Sequence, residues 1–522
     1  MLTEIDGLRR HGTIAEEGVP EDSLSSWSSI EKRATEVIDG LWVLLAKRGP
    51  DGAIDRYKGR CVANDCKSKR DVRHPGLECF SPAISHSNWK CQIATSCVRD
   101  HEMSNTTPAP RRYFALDIGQ AFLKGEPGEG EQCYLRPPPG FQSRDERGVP
   151  LVWKLGTPLY GQGDAGRIWY RTLHKQLVNQ GFARCESDPC LFVKRYPGGA
   201  SIELSTYVDD LFVTADPAAP VEQEIEALRA KFNEMTVREN PDYFLWMNIE
   251  YIDRGIIRLS ASSYATTLAK RYASVVDGRD APSLPSDASL VKAYERALDR
   301  EHILPAERVA QYGSKVGSLI YPVPCARPDC AVTVGLLARA LTFPTEELER
   351  CADDCIRYFA ATADQGVTFD GSKGGRLVAY SDSDWAVVHS TTGYCLMLAG
   401  APIRYASKRQ HCIALSSTEA ELMAASQAAT EIAHTREVLA ELGMPQDAPT
   451  ELYVDNSGAE ALARERKVTH NSRHISRRYF KVREYQADGL LTVKHVNTSE
   501  RIRVTCSPSH SRLLPSAPTC PF

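Results

Sequence analysis

Apolar and polar positions change character several times along this chain. Residues 1 to about 50 are mostly polar, with one short amphipathic stretch around 30–45, and residues 51–112 carry Gly, Pro and scattered basic side chains without a clear period. That pattern predicts a poorly defined lead-in over 1–54. From Tyr113 onward, apolar runs ending in carboxylates alternate with helix-length segments and with turns such as Pro137-Pro138-Pro139-Gly140 and Pro197-Gly198-Gly199. The alternation predicts mixed α and β structure. Helices are expected over 219–232 and 345–361; in the second, Leu348, Cys351, Ala352, Cys355, Ile356 and Phe359 recur at three- and four-residue spacing, a stripe suited to packing against a sheet. From Thr498 the period disappears into Ser, Pro, Arg and Cys, which predicts a divergent, disordered tail over 498–522.

Composition narrows this picture. The 522 residues, 42% hydrophobic and 25% charged, are too many for one ordinary core and imply three or four units. Because 63 Lys and Arg nearly balance 67 Asp and Glu, for a net charge of −4, any contact with a polyanion must come from local patches. No apolar run approaches the roughly 18 residues that span a bilayer, and the charged N-terminus lacks a signal-peptide core, so no membrane partner and no secretion are expected. Sixteen cysteines are scattered without a Cys-x-x-Cys pair, which points to buried reduced thiols and away from zinc or a disulfide framework.

Chemistry enters at Ser201 to Ala215, where two strand-like runs meet at Tyr207-Val208-Asp209-Asp210. A hairpin is the natural structure there. An Asp-Asp tip serves as a solvated turn, or it repels itself unless a divalent cation with oxygen ligands sits between the carboxylates. A second apolar strand ends on Asp117, within Leu116-Asp117-Ile-Gly-Gln-Ala-Phe122-Leu-Lys-Gly125. Two strand-end aspartates can share the paired ions, about 3.5–4 Å apart, that serve phosphoryl transfer.

These segments resemble copia-type retrotransposon reverse transcriptases. The blocks follow the family's order: Leu116 to Gly125, Tyr134-Leu-Arg-Pro-Pro-Pro-Gly140-Phe141, Pro158-Leu-Tyr160-Gly161 through Arg167-Ile-Trp169-Tyr170, Asp188-Pro189-Cys190-Leu191-Phe192, and Tyr207 to Asp210. The resemblance implies that Asp117, Asp209 and Asp210 bind two Mg²⁺ or Mn²⁺ ions, although spacing does not say which of them contacts both. It also implies that Phe122 lies under the incoming sugar and excludes a 2′-hydroxyl, a core phenylalanine being the alternative. Lys58 and Arg60 resemble finger residues that hold triphosphate oxygens, and solvated surface charge explains them nearly as well. The family's Lys-Gln is replaced by Gly163-Asp164, a change expected to weaken contact with nucleotide or template backbone.

The resemblance runs on through Tyr312 to Tyr321 and Arg327-Pro328-Asp329 to a second acidic set. Asp382, Glu421 and Asp455 come from a strand, a helix and another strand, as a two-metal nuclease requires, and they match the family's ribonuclease H domain. Glu419 competes with Glu421, since Ser416-x-x-Glu419 and Thr418-x-x-Glu421 both read as capping boxes; the family position favours Glu421. Ser457-x-x-Glu460 reads as a further capping box. Residues 464–483, with eight Lys/Arg and one acidic residue, suggest a strip for the RNA–DNA hybrid backbone, a solvated helix face or an import signal. Past Glu500 the family's next aspartate is missing, and Arg-Ile-Arg-Val-Thr-Cys stands there, so weakened ribonuclease H activity is expected.

The fold class expected is thus α+β multi-domain: a right-hand polymerase with fingers and an antiparallel palm sheet over 55–235, a thumb or connection over 236–375, and a ribonuclease H-like α/β domain over 376–497. The implied partners are an RNA template, a DNA or tRNA primer, the RNA–DNA hybrid and dNTPs, with dimerisation and cellular site left open. A piece of a longer polyprotein is expected. A catalytically degenerate nucleic-acid-binding copy is the competing reading.

Overall fold

The computed structural model describes residues 1–26, 37–48, 54–66, 78–129, 131, 133–384, 389–464 and 477–496. The chain forms two compact units: Met1–Ile84 with Ala115–Val213 and Ala218–Arg238, and Ser85–Phe114 with Thr214–Pro217 and Glu239–Phe522. Both are mixed α and β. The expected tail over 498–522 and the centre of the basic stretch, 465–476, lie outside the described residues.

The first unit corrects the lead-in expected over 1–54. Leu2–Arg10 is a helix, and its Ile5 and Leu8 join Ile14, Ile38, Cys61, Leu135 and Trp153 in one buried cluster. Val19–Pro20 pairs antiparallel with Val152 and Leu151. A helix this short buries too few positions to raise a periodic signal above its charged neighbours. The resulting sheet runs in the order Val19–Pro20, Leu151–Lys154, Tyr134–Arg136, Val37–Arg48, Ile54–Ala63.

Val37–Arg48 and Ile54–Ala63 form a long antiparallel ribbon in which Val43 faces Arg60 and Leu45 faces Lys58. Side chains two apart share a face of a strand, so Lys58 and Arg60 stand in one row. A second sheet has the order Met235–Glu239, Arg112–Ile118, Asp210–Ala215, Ser201–Tyr207, Leu191–Arg195, Ala183–Arg184. Arg112–Ile118 and Asp210–Ala215 are almost wholly apolar between their ends, as strands covered on both faces require. The helix expected over 219–232 is present as Val221–Phe232.

The second unit contains Glu346–Ala361, the expected second helix, capped by Thr345, whose side chain accepts from Leu348 N. It also contains His86–Met103, within a stretch read from sequence as loop-rich. That helix is buried on nearly every side, including Lys90, Gln92, Thr95, Ser96 and Asp100, so it shows no amphipathic stripe to read. Three of its buried polar residues make hydrogen bonds off the helix: Gln92 Nε2 donates to Thr214 Oγ1 at 3.3 Å, Ser96 Oγ to Tyr113 Oη at 3.0 Å, and Asp100 Oδ1 accepts from Arg254 Nε at 3.1 Å.

The C-terminal sheet of this unit is ordered Ala401–Arg409, Thr391–Leu398, Val378–Asp384, Thr450–Val454, Leu491–His495. The first three strands are antiparallel and the last two join in parallel, with Tyr380 opposite Tyr453 and Tyr453 opposite Lys494. The helix Ser417–Glu441 packs along Val378–Asp384 and Thr391–Leu398. All described cysteines are free thiols, most of them buried. Among the described residues no helix is long and apolar enough to cross a membrane.

Candidate active sites

In the first unit, Ser201–Tyr207 and Asp210–Ala215 turn through Val208 and Asp209, which confirms a hairpin at the paired aspartates. Val208 has φ 59°, a left-handed conformation that a β-branched side chain resists. Its carbonyl accepts from Trp169 Nε1 at 2.7 Å, and the Trp169 ring meets Phe232 edge-on at 5.1 Å between centroids. The end of the Asp117 strand closes on the same tip, because Ile118 N donates to Asp209 O at 3.1 Å.

Asp117, Asp209 and Asp210 therefore lie within one another's fields. Burial raises the Asp209 carboxyl, the Asp117 charge raises it further, and Arg60 opposes both. Asp210 is pushed up to about 6, first by burial and then by Asp209 and Asp117, with Arg238 offsetting part of the shift. Like charges held together in partial burial favour a proton or a cation. An all-oxygen donor set suits a hard divalent ion such as Mg²⁺ or Mn²⁺.

Phe122 sits half-buried on the 3₁₀ turn Ala121–Lys124, with its ring centroid 5.5 Å from that of Tyr160. The Arg60 guanidinium lies over the Tyr160 ring at 5.1 Å. Arg60, Tyr160, Phe122 and Asp209 thus form one neighbourhood. Lys58, half-buried, stands two residues before Arg60 on the same strand face. Sequence reasoning gave Tyr160 and Trp169 no separate role. Their signal was present in the Pro158 to Tyr170 block, but a motif does not say which members face the acids.

The weakened contact with nucleotide or template backbone expected at Gly163-Asp164 counted a lost lysine and a gained carboxylate, and the structure corrects the second of these. Asp164 is fully buried, accepts from Gln162 Nε2 at 2.9 Å and lies 3.5 Å from Arg167 Nη2. Arg167 and Arg171 also bind Glu131, holding its carboxyl well below the usual range; the Arg171 hydrogen bond is the largest cause. Gly163 N donates to Asp65 Oδ2 at 2.8 Å.

In the second unit, Asp382, Glu421 and Asp455 come together, with one ligand oxygen of each within 4.8 Å of the others. Asp382 lies two residues before the end of Val378–Asp384, and Asp455 lies one residue past Thr450–Val454. The parallel pairing of Tyr380 with Tyr453 carries both carboxylates to the same edge, two residues further along each strand. Glu421 is buried in the second turn of Ser417–Glu441. Glu419 does something else: Ser416 Oγ accepts from Glu419 N at 3.1 Å, and Glu419 Oε2 accepts from Leu415 N at 2.8 Å, so this carboxylate helps cap the helix.

Asp384, the other acid of this strand, accepts from Thr391 N across its own hairpin, and burial raises its carboxyl. At the third element the expected Ser457 box is replaced by an Asn456 cap, whose Oδ1 accepts from Ala459 N at 3.0 Å. Asn is as good a cap as Ser.

Residues 27–278 match the family described as reverse transcriptase (RNA-dependent DNA polymerase). That match takes in just under half of the chain. It is 30% identical over 481 residues to the retrovirus-related Pol polyprotein from transposon RE2 of Arabidopsis thaliana, covering 90% of this chain and 31% of the relative. To the corresponding polyprotein from transposon TNT 1-94 of Nicotiana tabacum it is 29% identical over 517 residues, 96% of this chain and 36% of the relative. These relatives are Pol polyproteins of copia-type retrotransposons, which this chain resembles. The chain spans about a third of the length of these curated relatives. A solved foamy viral protease-reverse transcriptase in complex with RNA/DNA hybrid is similar at TM-score 0.48 and 13% identity, over 99% of this chain and 55% of that one.

Proposed function

We propose that this chain is an RNA-directed DNA polymerase that extends a DNA or tRNA primer on an RNA template with dNTPs, by two-metal phosphoryl transfer, and carries an attached ribonuclease H site. The observation that supports this most is the closure of the Asp117 strand end on Asp209, inside the stretch that matches the reverse transcriptase family. Asp117, Asp209 and Asp210 would hold two Mg²⁺ or Mn²⁺ ions. Bound there, such ions lower the pKa of the primer 3′-hydroxyl and neutralise charge on the leaving pyrophosphate.

The chain's own residues do the rest. Phe122 stacks against the sugar and leaves no room for a 2′-hydroxyl, and Lys58 and Arg60 bind triphosphate oxygens as charge-assisted donors. At the second site, Asp382, Glu421 and Asp455 would hold ions that activate water against the RNA strand of a hybrid. The sequence past Glu500 supplies no aspartate to this set, which favours weak hydrolysis.

Primer extension on poly(rA)/oligo(dT) with Mg²⁺ or Mn²⁺, comparing wild type with Asp209→Asn, tests the reading. Extension by wild type that is lost in the variant is expected. Failure of the wild type to extend would favour a catalytically degenerate nucleic-acid-binding copy.

A further inference from the structure

The turn Pro158 to Gly161 is held against the end of the ribbon strand Ile54–Ala63 by its backbone: Ala63 N donates to Tyr160 O at 2.7 Å. Gly161 has φ +84°, and a Cβ there would lie 2.3 Å from Ala63 O, so neither the conformation nor the space admits another residue. Tyr160 is thus fixed at its backbone to the strand that carries Lys58 and Arg60. Its ring reaches the other way to Phe122 at 5.5 Å, while Arg60 lies over it at 5.1 Å. The Phe122 turn begins at Gln120 with φ 56°, which fixes the backbone but leaves the phenyl torsions to be set by neighbours.

A barrier that must exclude one hydroxyl works only if it is held to a fraction of an ångström. We propose that Tyr160 is a positioning residue that holds the Phe122 ring and the Arg60 guanidinium in register, and so sets how strongly the nucleotide site prefers deoxyribose over ribose. This rests on the reading of Phe122 as the sugar-facing group. Tyr160 acts through that ring and need not touch the nucleotide. Burial raises its phenol above the ordinary value, so the group stays neutral beside Asp209.

The test measures equilibrium binding of dTTP and of UTP to the full chain on poly(rA)/oligo(dT) in Ca²⁺, which holds nucleotide without supporting turnover, with thermal melting as a check of folding. Wild type is expected to prefer dTTP, and Tyr160→Leu to lose about tenfold of that preference, the size of effect that loss of one shaping contact gives. Tyr160→Phe, which keeps the ring, should retain the preference. If Tyr160 works through Phe122, the double variant Phe122→Leu/Tyr160→Leu discriminates no worse than Phe122→Leu alone.

A folded Tyr160→Leu protein with wild-type preference overturns the proposal, as does a wild type that binds both nucleotides equally or a double variant whose losses add. Tyr160→Met is measured in place of Tyr160→Leu if the latter does not melt cooperatively. Primer extension run in parallel separates the two claims: intact dTTP preference without extension refutes the polymerase reading and leaves the role of Tyr160 standing.

Discussion

The indole of Trp169 donates to the carbonyl of Val208 at 2.7 Å, and so anchors the one residue of the acidic hairpin tip held at positive φ. A non-glycine residue in that region costs on the order of 1–2 kcal/mol, and persists only when neighbours over-determine it. Trp169→Phe keeps most of the apolar contact with Phe232 and deletes the donor. Extension should fall on the order of tenfold, with the melting temperature lowered by only a few degrees, as loss of one hydrogen bond implies. Undiminished extension in Trp169→Phe would mean that the tip holds its shape without this bond.

Asp210 gives the first site a pH edge. With its carboxyl pushed up to about 6, a proton competes with cation below that pH and not above it. Mg²⁺ should therefore raise the thermal midpoint more at pH 7.5 than at pH 5.5, and the Mg²⁺ needed for half-maximal extension should increase several-fold over the same drop, as displacement of one proton predicts. A Mg²⁺ requirement that stays flat between these pH values would count against Asp210 as a ligand.

Lys90 offers a test in the second unit. It is fully buried, donates to Pro324 O at 3.0 Å and lies 4.5 Å from the Tyr405 ring centroid. Burial lowers its pKa from 10.5 to about 8; nearby thiols of Cys325, Cys395 and Cys91 oppose the shift and Arg404 adds to it. Because the folded-state pKa lies below the unfolded one, the cost of burying the charge is complete below about pH 8 and is relieved as pH rises to 10.5. Lys90→Met cannot titrate. Its stability relative to wild type should therefore decline between pH 7 and 10.5 by on the order of 3 kcal/mol, read from urea denaturation. A pH-independent difference between the two proteins would remove the argument.

Glu419 and Glu421 separate by experiment. Glu421→Gln should abolish Mn²⁺ binding at the Asp382 cluster while leaving the melting curve nearly unchanged. Glu419→Ala should lower stability by about 1 kcal/mol through the lost cap and leave Mn²⁺ binding intact. Titration calorimetry and thermal melting of both variants decide it, and exchanged phenotypes would reverse the assignment.

The sequence exposed what is local. Strands that end on acids, the hairpin at Asp209 and the helices Val221–Phe232 and Glu346–Ala361 could be read because each writes its period or turn into consecutive residues. What failed depended on partners far away in the chain. His86–Met103 showed no stripe because it is enclosed on nearly every side. Leu2–Arg10 was too short to signal, although its two buried residues sit in a core with Trp153. Asp164 looked like added negative charge at a ligand face, and its burial beside Gln162 and Arg167 appears only in three dimensions. Between Glu419 and Glu421 the capping-box pattern fits both, and only the fold distinguishes a carboxylate that turns back to Leu415 N from one that meets Asp382 and Asp455.

That last separation bears on how such a sequence ages. Two glutamates one residue apart answer to different demands: Glu419 helps cap the helix in any copy that folds, whereas Glu421, on the proposed reading, serves a copy that binds metal there. In a lineage whose nuclease had fallen out of use, substitutions would accumulate at Glu421 while Glu419 stayed. The pair is therefore a built-in clock, one hand slowed by the helix cap and the other free to move once the chemistry is no longer used.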